Sequence, residues 1–192
     1  MKTDIQKNVD FETADEGLQE LFVDQISDLY SAEQQLIKAL PKMAKAANSP
    51  ELRSAFEEHL ELTEEHAHRL EKIFSDLHVK KARKKCTGME GLVKEGSEVI
   101  KKEEEEGVIK DADLIAAAQR VEHYEIAGYG TVRTFAQMLG LEEAAELLQQ
   151  TLDEEGEADK KLTAISESLL SSESSTSSEF DEDESEEEPS QN

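Results

Sequence analysis

Five acidic residues in this chain stand where a helix should be greasy. Glu33 interrupts an apolar stripe of Leu18, Phe22, Ile26, Leu29, Leu36, Ile37 and Leu40. Glu122 and Glu125 fall on or beside a stripe of Leu114, Ala118, Val121, Val132, Phe135 and Leu139, and Glu155 and Asp159 lie among Leu148, Leu152 and Leu162. A carboxylate buried without a partner is costly, because nothing repays the lost hydration. Three helices that each place carboxylates mid-stripe therefore imply a shared compensating group, and a metal ion is the simplest one. A fourth stripe, Phe56, Thr63, Leu70 and Phe74, adds His59 and His66. Carboxylate oxygen with imidazole nitrogen suits iron or manganese, and the absence of a thiolate cluster disfavours a structural zinc site.

Most acids of such a chain form solvated helix faces, so each assignment has a plainer competitor. Glu33 and Glu125 read as inward because apolar residues surround them, and Glu155 and Asp159 read as inward on the same ground. Glu122 sits at a stripe edge, and Glu154 is placed to substitute for either neighbour on its helix. A lone inward histidine is more often a satisfied core residue. His59 is carried as a candidate ligand nonetheless, while His66 reads as core. The literal Glu-x-x-His pair, Glu65 and His68, faces away from the stripe, and His123 points to another face than Glu122. Tyr124 and Tyr129 are candidate hydrogen-bond partners for a carboxylate or ordinary packing residues.

The elements that must position these groups are all helical. Ala, Leu, Glu and Gln dominate the middle and C-terminal segments, and these are strong helix formers. No segment alternates with the period of two that a strand requires. The pattern predicts helices over 16–47, 50–77, 89–104, about 111–140 and 141–169. Pro41 is a possible kink in the first. Asn48 suits a left-handed helix end, and Ser49 and Pro50 suit the start of the next helix. Asp111 or Asp113 is the expected cap of the fourth. Two glycines, Gly128 and Gly130, sit inside that helix at a cost of about 1 kcal/mol each relative to Ala. Close approach of a neighbouring side chain or a kink would account for them.

Shifting the first hairpin by 92 positions lays it on the second, with Glu33 on Glu125, Asn48 on Gly140, Leu60 on Leu152 and Thr63 on Glu155. Two similar hairpins joined by a long crossover give the connectivity of a ferritin-like four-helix bundle. Antiparallel helices of similar length bring their midpoints level, which collects Glu33, Thr63, Glu125 and Glu155 in one layer. The expected organisation is a flexible lead-in at 1–15, a bundle at 16–170 and a disordered Ser/Glu/Asp tail at 171–192.

Composition excludes several functions. Formal net charge is −25. Removing the nine acids of the stretch from Ser171 onward still leaves −16, which argues against binding a phosphate backbone. The single basic run, Lys80 to Lys85, lies between helices and reads as a solvated loop that balances local acids. Cys86 is the only cysteine, so no disulfide forms within the chain. Neither a signal peptide nor a membrane span is evident, and the cytoplasm is the expected compartment.

Several runs are also familiar. Leu29-Tyr30-Ser31-Ala32-Glu33-Gln34-Gln35-Leu36, Met89-Glu90-Gly91-Leu92, Val121-Glu122-His123-Tyr124-Glu125-Ile126-Ala127, Leu139-Gly140 and Leu152-Asp153-Glu154-Glu155 resemble the YciE/YciF family of bacterial stress-associated proteins. The resemblance spans about residues 18 to 168, and the Glu-His-Tyr-Glu run is its most specific part. It implies a ferritin-like fold and a di-metal carboxylate protein, with no assigned reaction. The family's His-Leu-Glu-Glu-Thr motif here reads His59-Leu60-Glu61-Leu62-Thr63, so Leu62 replaces a carboxylate that could ligate metal.

The expectation is an all-α, ferritin-like bundle holding two iron or manganese ions, with Glu33, His59, Glu122, Glu125, Glu155 and Asp159 as the site. A homodimer is the expected assembly. A metal-free helical scaffold that dimerises and binds partners is the alternative.

Overall fold

A computed structural model describes the backbone of residues 3–80, 84–102 and 107–182, and the side chains of 15–80, 84–102 and 107–171. Among the described residues five helices follow one another: α1 (Thr3–Ala46), α2 (Pro50–Asp76), α3 (Thr87–Lys101), α4 (Gly107–Met138) and α5 (Glu142–Glu182). There is no strand among the described residues. The helices α1 and α2 form one hairpin, and α4 and α5 form the other. The hairpins meet through α1 against α4 and α2 against α5, while α3 packs on α1 and α4. This is the expected ferritin-like bundle.

The apolar core is split in two. One cluster holds Leu40, Leu52, Phe56, Leu114, Ile115 and Leu162. The other holds Phe22, Ile26, Leu70, Phe74, Val132 and Leu148. On each of the four long helices the chain passes from one cluster to the other across a short polar interval: Glu33 on α1, His59 to His66 on α2, Glu122 and Glu125 on α4, Glu155 on α5. The midpoint register foreseen from sequence is thus a physical layer between two greasy halves.

Local chemistry sets the ends of the helices. Ser49 caps α2, its hydroxyl accepting from the Leu52 amide at 3.3 Å, and Pro50 occupies the first turn. Gly140, at φ +68°, ends α4 in the left-handed region, and the Leu141 amide donates back to Ala136 O at 2.9 Å as such a termination requires. Asn48 differs from expectation. It does not take a left-handed φ. Its amide and that of Ser49 instead donate to the Asp111 carboxylate at 2.8 and 2.7 Å. Asp111 accordingly does not cap α4, which begins a turn earlier at Gly107. It ties the α1–α2 turn to α4. Buried Lys110 closes the crossover, donating to the carbonyls of Val99, Ile100 and Lys102 at the end of α3.

Both outer helices run past the expected bundle limits of 16 and 170. The backbone of α1 starts at Thr3, and that of α5 continues to Glu182, into stretches expected to lack structure. Once a helix is nucleated by tertiary packing, each added residue gains one hydrogen bond, so polar residues can extend it. The rest of the acidic tail, 183–192, lies outside the described residues. No helix among the described residues is long and apolar enough to cross a membrane. Lys84 and Lys85, from the basic run, pair with Asp24 and Glu90, as a charge-balancing loop would. Val99 is buried, and Leu92 and Ile100 pack against the first core cluster. The apolar face of α3 is thus used within the bundle.

The paired glycines of α4 have different explanations. A Cβ on Gly128 would come within 2.7 Å of Leu29 Cδ2, whereas one on Gly130 would meet only Leu152 Cδ2 at 4.0 Å. Gly128 is the close approach between α1 and α4. Gly128→Ala gains about 1 kcal/mol of helix propensity but crowds a buried leucine at a cost of about 1–3 kcal/mol, so net destabilisation is expected. Gly130→Ala gains the propensity alone and is expected to stabilise by up to about 1 kcal/mol. Opposite shifts of the two urea midpoints check this, and equal shifts would refute the assignment.

Candidate metal centre

Six buried side chains converge in the polar layer. Helix α1 contributes Glu33, α2 His59 and His66, α4 Glu122 and Glu125, and α5 Glu155. They form two groups in which one ligand atom from each residue lies within 4.8 Å of the others: His59, Glu122, Glu125 and Glu155 in one, Glu33, His66 and Glu155 in the other. Glu155 belongs to both. Its Oε2 lies 3.7 Å from His59 Nε2, and its Oε1 lies 2.9 Å from His66 Nδ1. The remaining contacts follow the same division, with His59 Nε2 3.5 Å from Glu122 Oε1 and His66 Nδ1 3.8 Å from Glu33 Oε1.

Helix α2 explains the doubling. His59 and His66 are seven residues apart, two helical turns or about 10 Å of rise, yet their rings are 6.4 Å apart between centroids, leaning toward the level of Thr63. That residue turns its hydroxyl back to His59 O at 2.8 Å and offers nothing to the layer. The helix therefore supplies an imidazole above and one below the plane where α5 supplies Glu155. Thr63, the position that the 92-residue shift lays on Glu155, thus carries no carboxylate.

Without a cation this layer is electrostatically unbalanced. Neither oxygen of Glu125, neither nitrogen of His59, and neither Glu33 Oε2 nor Glu122 Oε2 has a hydrogen-bond partner. Burial pushes the Glu33 carboxyl up to about 8 despite nearby His66. Burial, reinforced by the neighbouring carboxylates, also drives Glu122 and Glu125 well above the usual range. Burial alone would raise Glu155 too, but the contact with His66, the largest opposing effect, holds it low. The same contact overcomes burial and raises His66, while burial lowers His59 and leaves its imidazole neutral. A neutral imidazole is the form that binds metal.

The surroundings orient these groups. His66 Nε2 lies 2.9 Å from Glu154 Oε2, and Arg69 grips the same carboxylate through both guanidinium nitrogens. A carboxylate behind the far nitrogen of a histidine fixes the ring and its tautomer, as is usual for metal-ligating histidines. The fully buried Tyr129 donates its hydroxyl to Glu33 Oε1. Tyr124 instead contacts Cys86 Sγ at 2.9 Å and Asp28 at 3.0 Å, at the edge of α3.

Among the sequence-predicted residues, Glu33, His59, Glu122, Glu125 and Glu155 come together. Asp159 does not join them. Its carboxylate is partly exposed and faces Gln119 at 3.1 Å and His123 at 3.4 Å. His66, read from sequence as core, takes a place in the layer instead. Its signal was the two-turn spacing from His59, which sets one ring on each side of Thr63. Glu65 and His68 are exposed and pair loosely with each other, off the layer as expected. Leu62 is half-buried at the rim of a cavity between α2 and α5 that His59 and Glu122 also line, and the fourth carboxylate of the layer is Glu122.

Four glutamates and two histidines equal in number the ligands of a ferritin-like di-metal centre, in which two helices give one Glu each and two give a Glu-x-x-His pair. Here the same count is distributed differently. Four carboxylates would neutralise two divalent cations, and the orphaned oxygens point into the layer where such ions would lie. The residues present fit the group.

Comparison with known proteins agrees with the helical bundle and gives its family. Residues 17–175 match the family described as Domain of unknown function (DUF892). The chain is 48% identical over 149 residues to Protein YciF of Escherichia coli (strain K12), covering 77% of this chain and 89% of that one. The crystal structure of the E. coli stress protein YciF superposes with a TM-score of 0.78 at 44% identity, covering 80% of this chain and 97% of that one. YcfI of Rhodopseudomonas palustris, a candidate structural protein, gives a TM-score of 0.71 at 38% identity, with 76% and 92% coverage. A dodecameric thioferritin, the bacterioferritin-related protein of Bacteroides fragilis, gives 0.62 at 15% identity, with 88% and 98% coverage, and at that distance the likeness concerns the fold. With DUF892 matched over residues 17–175 and 48% identity to YciF over 149 residues, the chain belongs to the YciE/YciF family of ferritin-like proteins.

Proposed function

We propose that this protein holds a carboxylate-bridged pair of iron or manganese ions and uses them in redox or peroxide chemistry during stress. The observation that carries the reading is Glu155, each of whose oxygens faces a different histidine in a separate ligand group. On this reading Glu155 would serve both ions, one oxygen toward each group. His59, Glu122 and Glu125 hold one ion, and His66 and Glu33 hold the other. Iron or manganese held there would supply electron transfer toward dioxygen or peroxide.

The chain's own residues have definable tasks. Glu154, clamped by Arg69, keeps the His66 ring turned inward. Tyr129 donates its hydroxyl to Glu33 Oε1, which leaves Oε2 as the oxygen free to bind a metal. The two core clusters seal the layer above and below, where a low dielectric strengthens charge interactions. The place in stress defence follows the kinship with YciF, itself a stress protein.

A rival scaffold function predicts no bound metal, so metal analysis separates the two. Protein purified without chelator is expected to carry two ions per chain, and a Glu33→Ala, Glu125→Ala double variant is expected to carry none. A metal-free parent that remains metal-free after incubation with Fe(II) or Mn(II) would overturn the proposal.

A further inference from the structure

Two cavities reach the His59–Glu122 pair from different sides. The one between α2 and α5, about 270 Å³, has acidic walls: Glu58, Glu154 and Glu157, with Lys161 already paired to Glu58 at 2.6 Å. That is a fitting approach for a divalent cation. The other lies between α1, α3 and α4, encloses about 90 Å³, and is built differently. Leu36, Val93, Ile100, Ala117 and Val121 make its walls apolar, and His59 and Glu122 lie at its inner end. Apart from that buried pair, its charged lining residues are Lys38 and Lys42, both exposed on α1. Neither lysine has an ion pair among the described residues.

Two unpaired cations at the mouth of an apolar cavity stand out in a chain of net charge −25. They repel metal ions and attract anions. The narrow volume excludes the ring systems and cofactors that fill pockets of about 300–1,000 Å³, but it admits an unbranched chain. Gly96 lines the α3 wall: an added Cβ would meet Met43 Sδ at 3.6 Å, an ordinary contact, so a bulkier side chain there is expected to fill the cavity.

We propose that this cavity binds a medium-length apolar chain with an anionic head group, a monocarboxylate in its simplest form, head at Lys38 and Lys42 and tail toward His59 and Glu122. As a substrate site the cavity rests on the metal centre proposed above. As a binding site it stands on its own geometry. The metal then arrives by the acidic cavity and the organic molecule by the apolar one.

Calorimetric titration of the full chain with octanoate and with octylammonium, before and after metal loading, tests this. Octanoate is expected to saturate at one site per chain and to bind at least about tenfold more tightly than octylammonium, a difference of about 1.4 kcal/mol. Lys38→Glu with Lys42→Glu, at exposed positions, is expected to abolish or reverse that preference while leaving metal content unchanged. Gly96→Leu is expected to remove octanoate binding with the melting transition retained. Equal binding of the two amphiphiles, no saturable octanoate binding, or indifference to the lysine reversal overturns the proposal, and the lysine pair decides it even if Gly96→Leu does not fold. Octanoate binding by a chain that takes up no metal would sink the metal centre and leave the pocket standing.

Discussion

Loading the purified protein with Mn(II) or Fe(II) is expected to raise its melting temperature by about 10–20 °C, with the larger increment at higher pH. An ion that binds only the folded state adds about 2.7 kcal/mol when its free concentration is a hundred times its Kd. Two ions add about 5 kcal/mol, and a chain of this length gains about 2–4 °C per kcal/mol. The pH dependence comes from the layer itself. Glu33 has its folded pKa raised from 4.5 to about 8, and Glu122 and Glu125 move the same way. For such groups the folded state holds protons that the unfolded state has released. Their contribution is complete below the ordinary carboxylate range and is lost as pH rises through the folded values.

His66, raised above 6.5, acts in the same direction. Its contribution is present below 6.5 and disappears as pH passes its folded value. Glu155, held low, is ionised through this whole range and affects stability only in acid. The metal-free protein should therefore melt at lower temperature at pH 8.5 than at pH 6. The metal-bound protein should not, because coordination displaces those same protons. Differential scanning calorimetry at both pH values checks the trend, and proton release on metal addition in a weakly buffered solution checks its cause. A metal-free transition insensitive to pH across that interval would contradict the burial-driven protonation of Glu33.

How much of this was legible beforehand depends on which physical rule governed each residue. Helix period and midpoint register are local and strong, so Glu33, Glu125 and Glu155 could be placed in one layer from their stripes alone. Glu122, at a stripe edge by sequence, is buried in the layer. Asp159 shares the stripe of Glu155 but stands one turn further along α5. There the layer has given way to apolar core, and its carboxylate swings out to Gln119 and His123 on α4. His66 was the opposite case. Nothing local distinguishes a core histidine from a ligand, because the difference lies in what α1 and α5 place against it, Glu33 and Glu155 on one nitrogen and Glu154 on the other. The Asp111 tie to the α1–α2 turn was illegible for the same reason, since its partners lie about sixty positions away in the chain.

The layer also has a thermodynamic logic that the chain-end chemistry lacks. Caps, turns and the Lys110 clasp satisfy their polar groups within the chain. The six central side chains do not, and several of their oxygens and nitrogens are buried without a hydrogen-bond partner. A bundle selected for stability alone would fill those positions with leucine. Retained orphaned carboxylates are the expected signature of a site that trades stability for function.

That trade can be measured at Glu125, which has both oxygens unpartnered, no exposure and, among the described residues, no histidine within ion-pair distance. Glu125→Leu is expected to stabilise the metal-free protein by about 1–3 kcal/mol, the cost of burying a polar group without a hydrogen bond. The melting temperature should rise by about 2–12 °C at the usual 2–4 °C per kcal/mol. The same variant should lose most of the metal-induced increment, since the His59 group then has one carboxylate fewer. Glu125→Gln separates the two effects. It keeps the shape and the buried polarity, so it should gain little stability, yet it lacks the anionic oxygen and should lose the metal response as fully as the leucine variant. If Glu125→Leu is destabilising in the metal-free state, the carboxyl has a partner that geometry does not reveal. If Glu125→Gln retains a full metal-induced shift, Glu125 is not a ligand and the His59 group must be rebuilt around Glu122 and Glu155 alone.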